Sequence, residues 1–502
     1  MADQLFIGID NGTQGTKCVV FSREQQKILA SAYAPHELIE NDVGRREQEP
    51  QWWIDAATAA LQKCLAAPEV DRRQVVGIGV SGQQHGFVPL DKDGKVLRPA
   101  KLWCDTETVP QCEQITAAVG SSKKVIAAIG NAVAAGFTAS KVLWLKQHEP
   151  ARFEQLAHVL LPHDYLNFWL TGNYRTECGD ASGTAYFDVR KRKWSRKLLQ
   201  AIDDSGRLAA CLPKVIASDA PHGRLLPAIA RQFDLPAGIL VSSGGGDNMM
   251  AAIGTGNVTP GVVTASLGTS GTIYSYSSQP VIDPRGELAA FCSSSGGWLP
   301  LICTMNVTVA TELTRELFGQ DLQAFNADVA QSPVGAGGLR LLPYFNGERT
   351  PPLPRARATL AGISSTNYTR ANVCRAAMEG ATLGLRYGLE LLKQQGVSPA
   401  EIRLVGGGSK SSIWRQMVAD LFNCPVVCPV SAEAGAMGAV LQAMWCRDHA
   451  DGAATELSEL TAQFVQLDPA SRAEPDAERA RAYEAIYGEY LALHAALAPL
   501  AK

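Results

Sequence analysis

The chain has 502 residues, more than one hydrophobic core usually serves, so two or more domains are expected. Hydrophobic residues make up 46% and charged residues 19%, which excludes a disordered chain. The 46 Lys and Arg against 49 Asp and Glu give a formal charge of -3, so no basic excess remains for a phosphate backbone. We therefore expect no nucleic acid partner.

Neither a membrane segment nor a disulfide framework is indicated. No apolar stretch approaches the roughly 18 residues that a membrane-spanning helix needs. The N-terminal MADQLFIGID has no basic region before its short apolar run and predicts a strand rather than a signal peptide. The 12 cysteines are scattered without a C-x-x-C pair, which argues against a zinc site and suits a reducing cytoplasm.

In the first half, strand-like and helix-like segments alternate and predict an α/β fold. Predicted strands at 5–9 and 17–21 flank the turn GTQGT. A predicted helix at 51–65 and a buried strand at 75–80 follow, and the strand ends in Ser-Gly.

The second half repeats this order of elements. Predicted strands at 261–267 and 273–276 flank GTSGT, and a helix at 371–395 leads to a strand at 402–405 that ends in three glycines. Such a repeat indicates duplication of one domain, although a chance repeat of Gly-Thr turns is the alternative. The glycine run at 242–246 predicts two domains, 1–243 and 244–502. A late amphipathic helix at 476–497 is expected to pack on either half, including back on the first.

The two G-T-x-G-T turns are candidate phosphate sites, since the chain has no G-x-x-x-x-G-K-[ST] loop. Glycine lets backbone N–H groups approach an anion closely, and threonine adds a hydroxyl donor. Two such hairpins, one in each half, are suited to clamp a polyphosphate. An ordinary structural turn is the alternative for each hairpin.

Two carboxylates stand beside these elements. Asp10 ends the first predicted strand, and Asp247 follows three glycines and precedes a helix-like segment. Phosphoryl transfer needs one carboxylate to hold Mg²⁺ and another to orient the attacking hydroxyl. The structural alternatives are a turn residue at Asp10 and a helix N-cap at Asp247.

A polar turn and an aromatic residue in the first half are candidates for sugar binding. Gln84 and His85 follow the predicted strand at 75–80, and ligands of open α/β sheets collect at such strand ends. Trp103 is a candidate apolar wall, with a core position as the alternative, and Asp105 a candidate acceptor for a hydroxyl. In the second half, the glycines at 406–408 leave room for a flat ring against the backbone.

With both hairpins, GGGD and GGGSKSSIW, the chain resembles the FGGY carbohydrate kinases of the actin, hexokinase and Hsp70 ATPase superfamily. Both long family signatures are met, at 136–148 and 358–379, and SGQQHG and LRPAKLW are most similar to xylulokinases. The resemblance implies an α/β fold of two actin-like, ribonuclease H-like ATPase domains with a cleft between them. It also implies ATP and Mg²⁺ as cofactors.

Site residues are carried over from the family motifs. Asp247 matches the catalytic base and Asp10 the aspartate near Mg²⁺, with Asp247 as a second candidate metal ligand through water. The other matches are Gln84, His85 and Asn248 for the sugar; Gly12, Thr13, Gln14, Thr16, Gly268, Thr269 and Ser270 for the ATP phosphates; and Gly407, Gly408 and Ser411 for adenosine. The chain departs from the family pattern at three positions: relatives often have Met at Gln84, Asn at Cys104 and His at Pro352. These departures make the identity of the sugar less certain than the kinase chemistry.

The leading interpretation is a kinase that uses ATP to phosphorylate an open-chain sugar, with D-xylulose to D-xylulose 5-phosphate as the expected reaction. Another ketopentose, a sugar alcohol or a linear signalling molecule remains an alternative substrate. A nucleotide-switched binding protein of the actin or Hsp70 type is the alternative of another class, and a silent sugar sensor a third. The carboxylate after the glycine run favours the kinase. Whether the chain forms a homodimer is left open.

Overall fold

The computed structural model describes residues 3–501 and confirms the predicted α/β class. Two large mixed sheets form its framework. The strands of the first, in spatial order, are Pro221–Arg224, Leu240–Ser242, Val75–Gly82, Leu5–Asn11, Gly15–Ser22 and Lys27–Pro35, and Gly245–Gly246 also pairs with Val75–Gly82. The strands of the second are Ala289–Cys292, Trp298–Thr304, Gly271–Ser275, Val262–Leu267, Glu401–Val405, Val426–Pro429 and Leu467–Ala473.

The two sheets repeat one arrangement of strands around the predicted turns. In each, the strand before the turn pairs antiparallel with the strand after it and parallel with a strand that follows a long helix. The register places Asp10 opposite Ser81 in the first sheet and Ser266 opposite Val405 in the second. The sequence repeat is thus a repeat of local topology, which brings each G-T-x-G-T turn beside the end of a parallel strand.

Helices cover the sheets and connect their strands. In the first half they are Pro50–Leu65, Val109–Val119, Ser122–Ile129, Thr138–His148, Pro150–Gln155, Pro162–Thr171, Cys178–Ala181, Arg196–Ile202, Arg207–Ala210 and Pro227–Phe233. In the second they are Asp247–Gly254, Thr308–Leu317, Leu322–Gln331, Arg370–Gln394, Ser412–Phe422, Ala434–Ala450, Leu457–Phe464 and Ala477–Leu497. Within residues 3–501, no helix is both long and apolar enough to cross a bilayer.

The helices Asp247–Gly254 and Ala434–Ala450 pack against each other where the two sheets approach. Asp247–Gly254 contributes side chains to apolar clusters with strands of both sheets. Ala434–Ala450 lies on the first sheet, although it comes late in the chain. A Cβ atom at Gly8 would meet the carbonyl of Ala436, and one at Gly438 would meet the carbonyl of Met250, so glycine permits this close packing.

The last helix, Ala477–Leu497, packs on the second half. It lies against Ser412–Phe422, and Tyr483 is buried with its hydroxyl bonded to Glu379 and Arg375 at 3.0 and 2.9 Å. Of the two halves that the sequence left open for this helix, the structure therefore shows it on the second. Its apolar face is covered by side chains of the second half, which local sequence does not reveal.

Candidate active site

Asp247 is the first residue of the helix Asp247–Gly254, and the preceding strand Gly245–Gly246 pairs with Ser81 and Gly82. This pairing places the carboxylate beside the predicted sugar turn. The interpretation of Asp247 as an N-cap is wrong, because Gly246 holds the N-cap position. The Oδ1 atom of Asp247 accepts hydrogen bonds from the backbone and side-chain amides of Asn248, at 2.8 and 3.0 Å.

Burial and a neighbouring carboxylate weaken the acidity of Asp247. Burial, and after it the negative charge of Asp10, raise its pKa to about 7, although the hydrogen bonds from Asn248 oppose the shift. The pKa of Asp10 is also raised by burial, while Ser81 donates to its Oδ1 at 2.6 Å and favours the charged form. The predicted base therefore titrates near neutral pH, where a general base is most effective.

Gln84 and His85 form the other side of this recess. The Oε1 atom of Gln84 accepts from Nδ2 of Asn248 at 2.8 Å, while its own Nε2 is buried without a hydrogen-bond partner among the described residues. The His85 ring packs between Phe137 and Phe291, with ring centres 4.8 and 5.4 Å away. Burial holds the pKa of His85 well below its usual range, so the ring is neutral.

The backbone at His85 is fixed by a lysine that the sequence interpretation missed. Lys141 is fully buried and its Nζ donates to the carbonyls of His85 and Gly136 at 2.8 and 2.6 Å. His85 has a φ of 64°, in the left-handed region, so the turn needs such support. Local sequence gives no sign of this contact, because Lys141 follows the turn by 56 positions.

Trp103 lies beside the first hairpin, whereas Asp105 is turned inward. The indole N–H of Trp103 donates to Oγ1 of Thr13 at 2.9 Å. Asp105 is 0% exposed and accepts from Nζ of Lys101 at 3.2 Å and from the backbone of Arg46 at 2.9 Å. The structure does not offer Asp105 to a sugar, so that assignment is corrected. The Nζ atom of Lys101 lies within 3.2 Å of a carboxylate oxygen of Asp105 and of two glutamates, Glu47 and Glu107, and so forms a salt bridge with each of the three.

The first hairpin is closed by its own backbone and side chains. Gly12 donates its N–H to the carbonyl of Gly15 at 3.0 Å. The hydroxyl of Thr16 is buried and bonded to Asn11 and His36 at 3.0 and 2.8 Å, so it is not free for a phosphate and its predicted contact is corrected. Thr13 donates to Gln83 at 3.2 Å, and the Gln14 side chain is exposed at the tip.

The side chains of the second hairpin are less engaged in hydrogen bonds within the described residues than those of the first. Thr269 is exposed and Ser270 half-buried, and the carbonyls of Gly268 and Thr269 accept from the backbone N–H groups of Thr308 and Val307 at 2.9 and 3.0 Å. These bonds fix the turn through its carbonyls. The hydroxyls of the turn therefore remain available to an anion.

The glycines at 406–408 adjoin the second hairpin. A Cβ atom at Gly408 would meet Leu267 and Trp414, whereas one at Gly407 would meet no atom within 4 Å. Gly408 is thus needed for packing, and Gly407 borders open space. Ser411 is the N-cap of Ser412–Phe422 and accepts from the N–H of Trp414 at 3.4 Å, so its hydroxyl serves the helix.

Comparisons with known proteins identify the family of this chain. The family model described as the FGGY family of carbohydrate kinases matches with its N-terminal domain at residues 5–254 and with its C-terminal domain at 263–446. A xylulose kinase of Haemophilus influenzae is 46% identical over 97% of this chain and 99% of its own, and one of Streptomyces rubiginosus is 36% identical over 95% of each. The crystal structure of a xyloylose kinase from Brucella ovis is 31% identical with a TM-score of 0.91, covering 99% of this chain and 100% of that one. The chain therefore belongs to the FGGY family of carbohydrate kinases, with its two-domain actin-like ATPase fold.

Proposed function

We propose that this kinase transfers the γ-phosphoryl group of ATP to the terminal hydroxyl of D-xylulose. The observation that carries the proposal is the Asp247 carboxylate, which has a pKa of about 7 and is tied through Asn248 to Gln84 in the sugar turn. The two curated relatives described above carry the name xylulose kinase, which supports this sugar over other ketopentoses and sugar alcohols.

Asp247 acts as the base in this proposal. Its carboxylate accepts a hydrogen bond from the terminal hydroxyl, aligns the oxygen with the γ-phosphorus and takes up the proton. Because phosphoryl transfer passes through a loose transition state, alignment contributes more than base strength.

The sugar binds against Gln84, His85 and Trp103. The buried Nε2 of Gln84 lacks a partner in the protein, and an unpaired buried donor costs about 1–3 kcal/mol, which a sugar oxygen would relieve. The neutral ring of His85 offers one donor and one acceptor. Asn248 is already bonded to both neighbours, so it positions Gln84 and Asp247.

ATP lies along the two hairpins. A Cβ atom at Gly12 would meet only the carbonyl of Gly15, at 3.6 Å, so the space above this glycine is not filled by protein. A phosphate occupies the space above Gly12, and the backbone at Gly268 and the free hydroxyls of Thr269 and Ser270 bind the phosphates. Gly407, which also borders open space, supports the adenosine.

Asp10 and Asp247 fit a divalent cation. Each is a carboxylate whose pKa is raised by burial, and the charge of Asp10 opposes ionisation of Asp247. Oxygen ligands of this kind suit Mg²⁺, and Asp10 and Asp247 are the residues that would hold it, directly or through water. Bound Mg²⁺ supplies neutralisation of charge on the phosphate oxygens.

The domain division and location are part of the same proposal. Residues 1–243 carry the sugar turn and the first hairpin, and residues 244–502 carry the second hairpin and the adenosine glycines. All 12 cysteines have free thiols, which suits a reducing cytoplasm.

Identification of the product tests the proposal. The chain is incubated with ATP, Mg²⁺ and D-xylulose, and the product is examined by phosphorus and carbon NMR. We expect one phosphate monoester on the terminal carbon C5. A phosphate on another carbon would contradict the assigned alignment, and ADP formed without an ester would contradict the kinase reaction on this sugar.

A further inference from the structure

Arg349, within the sequence GERT, reaches from the second half of the chain to the first. Its Cζ atom lies 5.9 Å from the centre of the Trp103 ring, and its Nη1 atom lies 3.6 Å from Sγ of Cys303. Trp103 in turn donates to Thr13 of the first hairpin, and Cys303 is paired in the second sheet with Thr272, which ends the second hairpin motif. Arg349 therefore stands between residues that border both predicted phosphate sites.

The loop that carries Arg349 is held by the buried carboxylate of Glu348. Its Oε1 accepts from the backbone N–H groups of Met305 and Arg349 at 2.7 and 2.8 Å, and its Oε2 accepts from Nδ2 of Asn306 at 3.2 Å. These bonds fix the backbone of Arg349 against the end of the strand Trp298–Thr304. The Arg349 side chain therefore extends from a fixed backbone, although the side chain itself is exposed.

The positive charge of the Arg349 guanidinium is not balanced by a neighbouring carboxylate. Among residues 3–501, no carboxylate lies within salt-bridge distance of it, whereas Lys17 is paired with Glu433 and Lys141 with two carbonyls. Arg349 also lies close enough to His85 for its charge to help lower the pKa of that ring, after the effects of burial and Lys141. A guanidinium without a carboxylate partner, near the sugar turn and both hairpins, is suited to bind a phosphate group. Its planar fork of N–H donors matches a pair of phosphate oxygens.

We propose that Arg349 is a catalytic residue that binds the phosphoryl group while it passes from ATP to the sugar; this rests on the function proposed above. The sugar hydroxyl oxygen forms a bond to the γ-phosphorus as the bond from that phosphorus to the β–γ bridging oxygen breaks. The bridging oxygen keeps the electron pair and leaves on ADP, and the hydroxyl proton passes to Asp247. Arg349 donates hydrogen bonds to the non-bridging oxygens of the transferring phosphoryl group, which carry its negative charge.

The test compares Arg349→Gln with Arg355→Gln, a control with the same change of charge at an exposed arginine six positions along the loop. We expect kcat for D-xylulose to fall by about 10²–10³ in Arg349→Gln, as when one donor to a developing charge is removed. The KM values for ATP and sugar should change much less, and Arg355→Gln should match the wild type. Melting temperatures check that both variants are folded.

A second readout separates catalysis from structure. Aluminium fluoride with ADP and D-xylulose imitates the transferring group, and calorimetry measures its binding. Arg349→Gln should weaken this complex strongly and the binding of ADP alone little. An unchanged complex, or a kcat close to wild type, overturns the role of Arg349. If the wild type itself releases no ADP with any sugar, the proposed function fails and the role of Arg349 with it.

Discussion

The side-chain amide of Asn248 donates to Gln84 at 2.8 Å and to Asp247 at 3.0 Å, and so joins the proposed base to the sugar turn. Gln84 and Asn248 are 164 positions apart. They meet because the strand Gly245–Gly246 pairs with the end of Val75–Gly82, which carries the turn. The proposed acceptor for the hydroxyl proton and the proposed sugar-binding groups are therefore positioned by one strand pairing.

Replacement of Asp247 by asparagine should abolish most turnover without unfolding the protein. The amide oxygen of asparagine still accepts the N–H of Asn248, but it cannot take up a proton from the sugar. We expect kcat to fall by roughly 10² or more, with a melting temperature no lower than that of the wild type. Steady-state kinetics and thermal unfolding check both. Near-normal turnover in the folded variant would show that Asp247 is not the base.

The pH dependence of kcat/KM should report the raised pKa of Asp247. The carboxylate must be ionised to accept a proton, so activity should decline below about pH 7, where Asp247 becomes protonated. A higher Mg²⁺ concentration should move this decline to lower pH, because a nearby cation favours the ionised form. A profile that is flat between about pH 5 and 8 at every Mg²⁺ concentration would contradict the assignment.

Substitution of Gly12 by valine should weaken ATP and spare the sugar. The protein leaves space at this position, so the fold should tolerate the side chain, which then blocks the approach of a phosphate. We expect the Kd for ATP to rise by roughly tenfold or more, equivalent to about 1.4 kcal/mol, and sugar binding without nucleotide to stay unchanged.

Gly488→Val provides the control for Gly12→Val, because a Cβ atom at Gly488 meets no atom within 4 Å and the position lies in the last helix. This variant should bind both ligands as the wild type does. Calorimetry measures each Kd. Normal ATP binding by Gly12→Val would mean that the first hairpin is only a structural turn.

Replacement of His85 by alanine should affect the sugar and not the nucleotide. The loss of one hydrogen bond to a buried partner costs about 1–3 kcal/mol, so KM for D-xylulose should rise by at least roughly tenfold. The slow ATP hydrolysis without sugar should remain. The exposed His148, replaced by alanine, serves as control. An unchanged KM in His85→Ala would place the sugar elsewhere.

Much of the fold could be predicted because its signals are local. Alternating apolar segments and the G-T-x-G-T turns identified the central strands of both sheets, and the glycines before Asp247 identified the start of its helix. The errors concern contacts between distant segments. The side chains of Thr16 and Asp105 are of a type that binds phosphate or sugar, but they are already hydrogen-bonded to His36 and Lys101. Such pairings arise only when the chain is folded.

The substrate preference tests the central claim most directly. A coupled assay of ADP release, with ATP and Mg²⁺ held constant, gives kcat/KM for D-xylulose and for a panel of ketopentoses, sugar alcohols and linear hydroxylated compounds. A site built to bond hydroxyl groups rejects compounds that leave its polar groups unpaired. We predict the highest kcat/KM for D-xylulose. A clearly higher value for another compound would contradict the proposed substrate.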